Sequence, residues 1–317
     1  MGTVRARIPR WVAGVAVAAG ALSGTVSACT LSVSEVTSTT WTGSNGQGYG
    51  VFEHSPHYQL VTFRVRSGDE PCPFFVTVAP ASGAGGDEGT LQGPGQSLPF
   101  RVYRDANGSQ PLRPLQLASP GEVLPGIAPT GPAGTVFQFA YGIWPQQVVA
   151  PGAYVGEIEI AIYEGDLQSA IMRDRRRVEV SALVPAVSEV SFSEGPFFDP
   201  SRQNETVRFE QLRRGDERSV GMRVRANSGH RILLQSTNGG VMRHVDPSDT
   251  STIPYFLTVD GVAVSLPKGA SVPGVDDTMA TSPIGALHRL RFTIGDLGQA
   301  SAGDYEDVIV VTVLSTR

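Results

Sequence analysis

The sequence predicts an all-β protein, two tandem antiparallel β-sandwiches behind a cleaved export signal. Three observations predict it. The 317 residues include 37 Gly and 23 Pro and are only 17% charged, a composition that favours short strands and many turns. No long stretch sustains apolar residues at the i, i+3, i+4, i+7 spacing of a helix. The chain also repeats itself. Pro151-Gly152-Ala153-Tyr154 opens the run Val155–Tyr163, and Ala302-Gly303-Asp304-Tyr305 opens the run Val308–Leu314, 151 positions later.

The N-terminus reads as an export signal. Arg5, Arg7 and Arg10 precede an apolar run from Trp11 to Leu22, and small residues end at Val26-Ser27-Ala28 before Cys29. That run is shorter than the ~20 apolar residues a helix needs to cross a bilayer. The expected organisation is a signal over residues 1–28, a first sandwich over 29–170 and a second over 171–317. The mature chain would reach a compartment where disulfides persist.

Two readings of the cysteines follow. Cys29 and Cys72, 43 positions apart, can form one structural disulfide. Alternatively Val26-Ser27-Ala28-Cys29 is a lipobox-like site and Cys29 carries lipid, which leaves Cys72 as an odd thiol in an oxidising compartment.

Val61–Arg66 alternates cleanly as a half-buried strand, and Phe74–Val78 is the next. Residues 80–98 and 119–134, rich in Gly and Pro, read as loops, with Phe100–Tyr103 running between them to a turn at Asn107-Gly108. Val136–Tyr141 and Gly152–Tyr163 complete this half. Arg173–Arg177 reads as a solvated linker face, and Val178–Leu183 as a strand of either half. The second half then repeats the first. Met222-Arg223-Val224-Arg225 stands 159 positions after Phe63-Arg64-Val65-Arg66, and Pro254–Asp260 stands 155 after Pro99–Asp105. Shrinking offsets in a conserved order are those of a duplicated domain with different loops. Val259-Asp260-Gly261-Val262 is a two-residue hairpin signal, and Leu290–Ile294 alternates before the last turn.

Composition and motifs exclude most chemistry. A net charge of −5 gives no reason to expect nucleic acid or an anionic membrane. His54 and His57 with Glu53 lack a third metal ligand. The acid pairs Asp276-Asp277 and Glu157/Glu159 read as surface carboxylates, and no Gly-x-Ser-x-Gly elbow, phosphate-cradling loop or Cys/His set is present. Arg214-Gly215-Asp216 reads as a turn, and Asn107-Gly108-Ser109 and Asn204-Glu205-Thr206 are sequons that serve equally as turns. No catalytic residue, metal ligand or cofactor is expected.

Three stretches resemble the spore coat protein U domain, the pilin-type domain of archaic chaperone–usher pili. Ser27-Ala28-Cys29-Thr30-Leu31-Ser32-Val33 is similar to the family's opening cysteine segment, with Cys72 as its partner. Leu98–Asp105 is similar to its central strand. Tyr141-Gly142-Ile143-Trp144-Pro145-Gln146-Gln147 followed by Pro151–Tyr154 is similar to its ending, although Gly156 stands where the family has Asp. The second half repeats the ending at Ser301–Asp307 and has no cysteine.

The resemblance implies immunoglobulin-like sandwiches lacking one strand, completed by an extended segment from a periplasmic chaperone or another pilin subunit and assembled at an outer-membrane usher. It implies that Val308, Val310 and Thr312, or their alternates Ile309, Val311 and Val313, line the acceptor groove. With the signal removed near Ala28 no strand-length segment precedes Cys29, so the expected place is a pilus tip. Trp41, Tyr49, Phe52 and Trp144 are then the expected adhesive contacts. The competing expectation is an outer-membrane lipoprotein whose sandwiches bind a glycan or a protein.

Overall fold

The computed structural model describes residues 29–316 except 38, 45, 69–70, 82–85, 130 and 132. The expected signal at 1–28 lies outside the described residues. The described chain is strands and turns, with one short 3₁₀ turn at Pro120–Glu122.

The first half contains β1 (Leu31–Ser34), β2 (Thr40–Trp41), β3 (His57–Ser67), β4 (Cys72–Pro80), β5 (Glu88–Gln92), β6 (Ser97–Tyr103), β7 (Leu124–Ala128), β8 (Thr135–Ile143), β9 (Gly152–Glu164) and β10 (Ile171–Val184). β1-β3-β8-β6-β5 run side by side, and β7-β4-β9-β10 face them, with β2 beside β10. β1-β3-β8-β6 have the order A-B-E-D and β4-β9-β10 the order C-F-G of an immunoglobulin sandwich, with β5 and β7 added at the edges and β5 touching β9 at Gln92 and Val155. The alternation that marked β3 puts Val61, Phe63 and Val65 into the core, where they meet Phe139, Ile158, Ile160 and Ile162.

Three expectations are corrected. The loop at 80–98 contains β5 and the start of β6, and the loop at 119–134 contains β7, because Gly and Pro here sit within short strands. The basic run Arg173–Arg177 is no linker. It lies in β10, antiparallel to β9 along its length, with Arg173 on Glu164, Arg175 on Glu159 and Arg177 against Glu157 and Glu159. The boundary therefore falls after Val184, not at 170, and Val180, Ala182 and Val184 belong to the first core.

The second half contains β11 (Ser188–Ser191), β12 (Glu217–Ala226), β13 (Gly229–Ser236), β14 (Val241–His244), β15 (Thr252–Val259), β16 (Val262–Val264), β17 (Val272–Asp277), β18 (Ala286–Ile294), β19 (Tyr305–Glu306) and β20 (Ile309–Thr316). β11-β12-β18-β15-β14-β19 form one sheet and β17-β13-β20 the other. The duplicated segments occupy duplicated places. Val65 and Val224 pair with the first strand of their halves, and Val102 and Leu257 face each core from equivalent strands. The hairpin signal forms β15–β16, with Asp260 at φ 50° and Gly261 at φ 85°. Positive φ at both central residues is what a type I′ turn requires.

The echoed glycines have a shared cause. Gly152 at φ 151° leads into β9 and Gly303 at φ 155° leads into β19 and β20, both by a backbone path that L-residues rarely take. A Cβ on Gly152 would stand 2.6 Å from Pro94 Cγ, and one on Gly303 would overlap the His244 ring.

The halves touch around Arg225, whose guanidinium lies 4.6 Å over Phe52 of the first half and 4.1 Å over Phe198 of the second, and pairs with Glu189. Asn227, fully buried, donates to Val149 O and Pro185 O and accepts from Val187 N.

Candidate functional site

The two sandwiches differ at one place. In the first, β9 is hydrogen-bonded on both edges, to β4 and β5 on one side and β10 on the other. In the second, its counterpart β20 is paired with β13 alone, from Ile309 opposite Ser236 to Thr316 opposite Gly229. Among the described residues no strand pairs with the outer edge of β20. The position that β10 fills in the first half is open.

The cores report the same difference. Ile158, Ile160 and Ile162 of β9 are fully buried, whereas Ile309, Val311 and Val313, each 151 positions later, are only half-buried. Along the gap lies β11, whose Ser188 Oγ donates to Val313 O at 3.3 Å. Val190 and Phe192 beside it are also only partly covered. An open row of backbone donors and acceptors over half-covered aliphatic residues is the geometry that takes an added strand.

The root of β20 is held firmly. Asp307 Oδ2 accepts from Ser236 Oγ at 2.6 Å and from Tyr255 OH at 2.7 Å, and its Oδ1 accepts from Asn238 N at 3.0 Å. Burial, and then the Asp307 carboxylate, hold the Tyr255 phenol un-ionised far above its ordinary range. Asp307 stands where the first half has Gly156, so this knot belongs to the second half alone.

The sequence named two sets of β20 residues, and the structure separates them. Val308, Val310 and Thr312 point outward, Val308 being 58% and Val310 50% exposed, so they do not line the groove. Their alternates Ile309, Val311 and Val313 are half-buried against the second core. The period-two pattern of this strand leaves Val310 and Leu314 in solvent.

Three of the four expected adhesive contacts are core residues. Trp41 packs edge-on against His57 at 5.4 Å and beside Tyr141 at 5.6 Å, and Tyr49 and Phe52 are buried with it. Aromatic residues in a Gly/Ser-rich stretch read as a surface loop, but here they cap the sandwich. Tyr49 OH donates to Trp144 O at 2.6 Å and accepts from Gln147 N at 2.9 Å, and burial pushes its phenol up to about 12. Trp144 alone is exposed, with Arg101 5.1 Å over its ring.

Cys29 and Cys72 are joined in a disulfide, their Cα atoms 6.1 Å apart. The sulfur of Cys29 is thus engaged, which removes the thiol that lipidation needs. Glu164 beside the bridge accepts from Cys29 N at 3.3 Å and pairs with Arg173. The remaining candidates stay dispersed. Asp276 and Asp277 are the last two residues of β17, where Asp276 pairs with Arg231, while Glu157 and Glu159 take the β10 arginines. Arg214-Gly215-Asp216 lies in a turn closed by Asp216 N on Arg213 O at 3.1 Å and tied to β18 by Gly215 N on Ile294 O at 2.8 Å. No described helix is long and apolar enough to cross a membrane.

No protein-family model matches the chain and no curated protein sequence matches it, so the spore coat protein U resemblance rests on the quoted motifs. Several solved structures are similar. The CsuC–CsuE chaperone–tip adhesion subunit pre-assembly complex from archaic chaperone-usher Csu pili of Acinetobacter baumannii is 15% identical, with 89% of this chain and 91% of that one covered at a TM-score of 0.45. The CupB6 tip adhesin from Pseudomonas aeruginosa is 10% identical, with 90% and 93% covered at 0.36. CfaE, the adhesive subunit of CFA/I fimbria of enterotoxigenic Escherichia coli, is 9% identical, with 76% and 87% covered at 0.30. With TM-scores below 0.5, these likenesses carry no argument about what this chain does.

Proposed function

We propose that this chain is a non-enzymatic subunit of a chaperone–usher type surface pilus, a tip or minor subunit that accepts an extended strand from another polypeptide along β20. The observation that carries the reading is the contrast between β9, paired on both edges, and β20, paired on one. The first sandwich supplies its own closing strand in β10, so it has no vacant place and is free to present a surface. The second offers backbone hydrogen bonds and a row of half-covered aliphatic residues, which suit a strand with small apolar side chains at alternate positions. The donor in transit would come from a periplasmic chaperone, and in the assembled pilus from a neighbouring pilin subunit. The disulfide fits an exported protein.

Photo-crosslinking in the native cell envelope tests this. A photoreactive residue placed at Val310, on the open strand, should capture a chaperone or pilin. The same residue at Phe256, exposed on the other sheet, should not. No adduct at Val310, or equal capture at both positions, would overturn the reading.

A further inference from the structure

The second core contains two histidines that strand alternation alone does not explain. His230, on the central strand β13, is fully buried, and no side chain hydrogen-bonds either ring nitrogen, although the Met279 backbone acts on the ring. His288, on β18 of the facing sheet, is also buried, and the two ring centroids stand 6.4 Å apart across the core. His288 Nδ1 meets Asp260 Oδ2 at 2.8 Å, and an ionised carboxylate only accepts, so Nδ1 carries the hydrogen. That leaves His288 Nε2 as a bare acceptor, also without a partner. Three ring nitrogens thus lack a side-chain partner where two sheets meet.

The charged groups around His230 come from each packed element. β17 supplies Asp277, directly opposite His230 in the ladder, and Asp276, which is engaged by Arg231. β18 supplies His288, itself held by Asp260 of the β15–β16 turn. β20 supplies Ser315 opposite His230 and no charge.

We propose that the His230–His288 pair is a proton-sensitive latch in the second sandwich, which holds β13 against β18 while His230 is neutral and releases β13 and the adjoining β20 when it takes a proton. A proton on His230 places a cation in the core beside a second imidazole with no carboxylate hydrogen-bonded to it, and the sheet must open to hydrate it. Burial first, and then His288, depress the His230 pKa below 6.5, while Asp277, the Met279 backbone and Asp276 pull the other way. Because the folded pKa lies below the unfolded one, the unfolded chain binds the proton first. The contribution to stability is complete above about pH 6.5 and is lost as pH falls from there towards the folded pKa. The latch concerns the second sandwich alone and does not depend on what β20 binds.

Amide exchange and imidazole NMR on the full chain test it between pH 7.5 and 5. After correction for intrinsic rates, protection of the β13 and β20 amides should fall by about tenfold per pH unit below about 6.5. In His230→Phe the same amides should show a much flatter dependence. In the unsubstituted chain, the His230 ring signals should stay at their neutral position until β13 protection is lost. A His230 ring that titrates near 6.5 while β13 and β20 remain protected would overturn the latch, and so would a His230→Phe chain with the original pH dependence. The wild-type ring signals decide the matter even where the variant fails to fold.

Discussion

Tyr255 donates its phenol hydrogen to Asp307 Oδ2 over 2.7 Å, and that single carboxylate also holds Ser236 and the Asn238 amide. The open strand β20 is therefore anchored at its root, where it leaves β15 and β13, and unsupported along its outer edge. A rigid root with a free edge keeps the register of β20 set before any second strand arrives.

Asp307→Ala should remove about 2–3 kcal/mol from the second sandwich, because Ser236 and Tyr255, both buried, lose their acceptor. Tyr255→Phe should cost about 1 kcal/mol, since one donor leaves and the carboxylate keeps Ser236 Oγ and the Asn238 and Val308 amides. Urea unfolding followed by amide signals of β13 and β20 measures both. Equal losses in the two variants would mean that Asp307 acts through Tyr255 alone.

Reducing the Cys29–Cys72 bridge should destabilise the first sandwich by about 4 kcal/mol, the chain-entropy value for a 43-position separation, and leave the second unchanged. Denaturant midpoints for the two halves, read separately with and without reductant, check this. A shift in the second half would show that the two unfold together through the Arg225 and Asn227 contacts.

Trp41→Ala should unfold or loosen the first sandwich, at a loss of about 3–5 kcal/mol, because a fully packed indole is removed beside His57 and Tyr141. Trp144→Ala should change stability by less than about 1 kcal/mol, its ring being largely in solvent. Paired surface-attachment and unfolding assays separate the roles. Attachment lost in Trp144→Ala with stability intact would mark that residue as a contact.

Gly303→Ala should weaken the entry to β20 by at least about 1 kcal/mol, since its φ of 155° is unfavourable for Ala and a methyl would meet the His244 ring. The loss should appear first as faster exchange at Tyr305 and Glu306 in β19. Unchanged exchange there would show that His244 swings aside freely.

Much of this architecture was legible in the residues. The Gly-x-Tyr echo located β9 and β20 and, through its constant offset, the equivalence of Ile158, Ile160 and Ile162 with Ile309, Val311 and Val313. Alternation located β3 and β18 because each buries one face, and the repeat of Phe63–Arg66 at Met222–Arg225 located β12. The rest was hidden for physical reasons. β5 and β7 are short and contain Gly or Pro, so they read as loops. The first half of β10, Arg173–Arg177, reads as a linker because its arginines answer the glutamates of β9, a cross-strand pairing invisible until the two strands are aligned. The burial of Trp41, Tyr49 and Phe52 depends on a loop folding over the sandwich end, which local pattern does not record. Which alternate set of β20 faces inward depends on the register with β13, and the contacts of Asp307 with Tyr255 and Ser236 join residues 52 and 71 positions apart.

The most direct test of the central claim is amide exchange along Ile309–Thr316, measured on the isolated chain and on the chain co-purified with its envelope partner. In the isolated chain, alternate amides should be protected by β13 while those on the outer edge exchange freely. With the partner bound, the outer-edge amides should slow by at least about tenfold, as those of a strand paired on both sides. Outer-edge amides that are already protected in the isolated chain, or that stay fast in the complex, would contradict a strand-accepting β20.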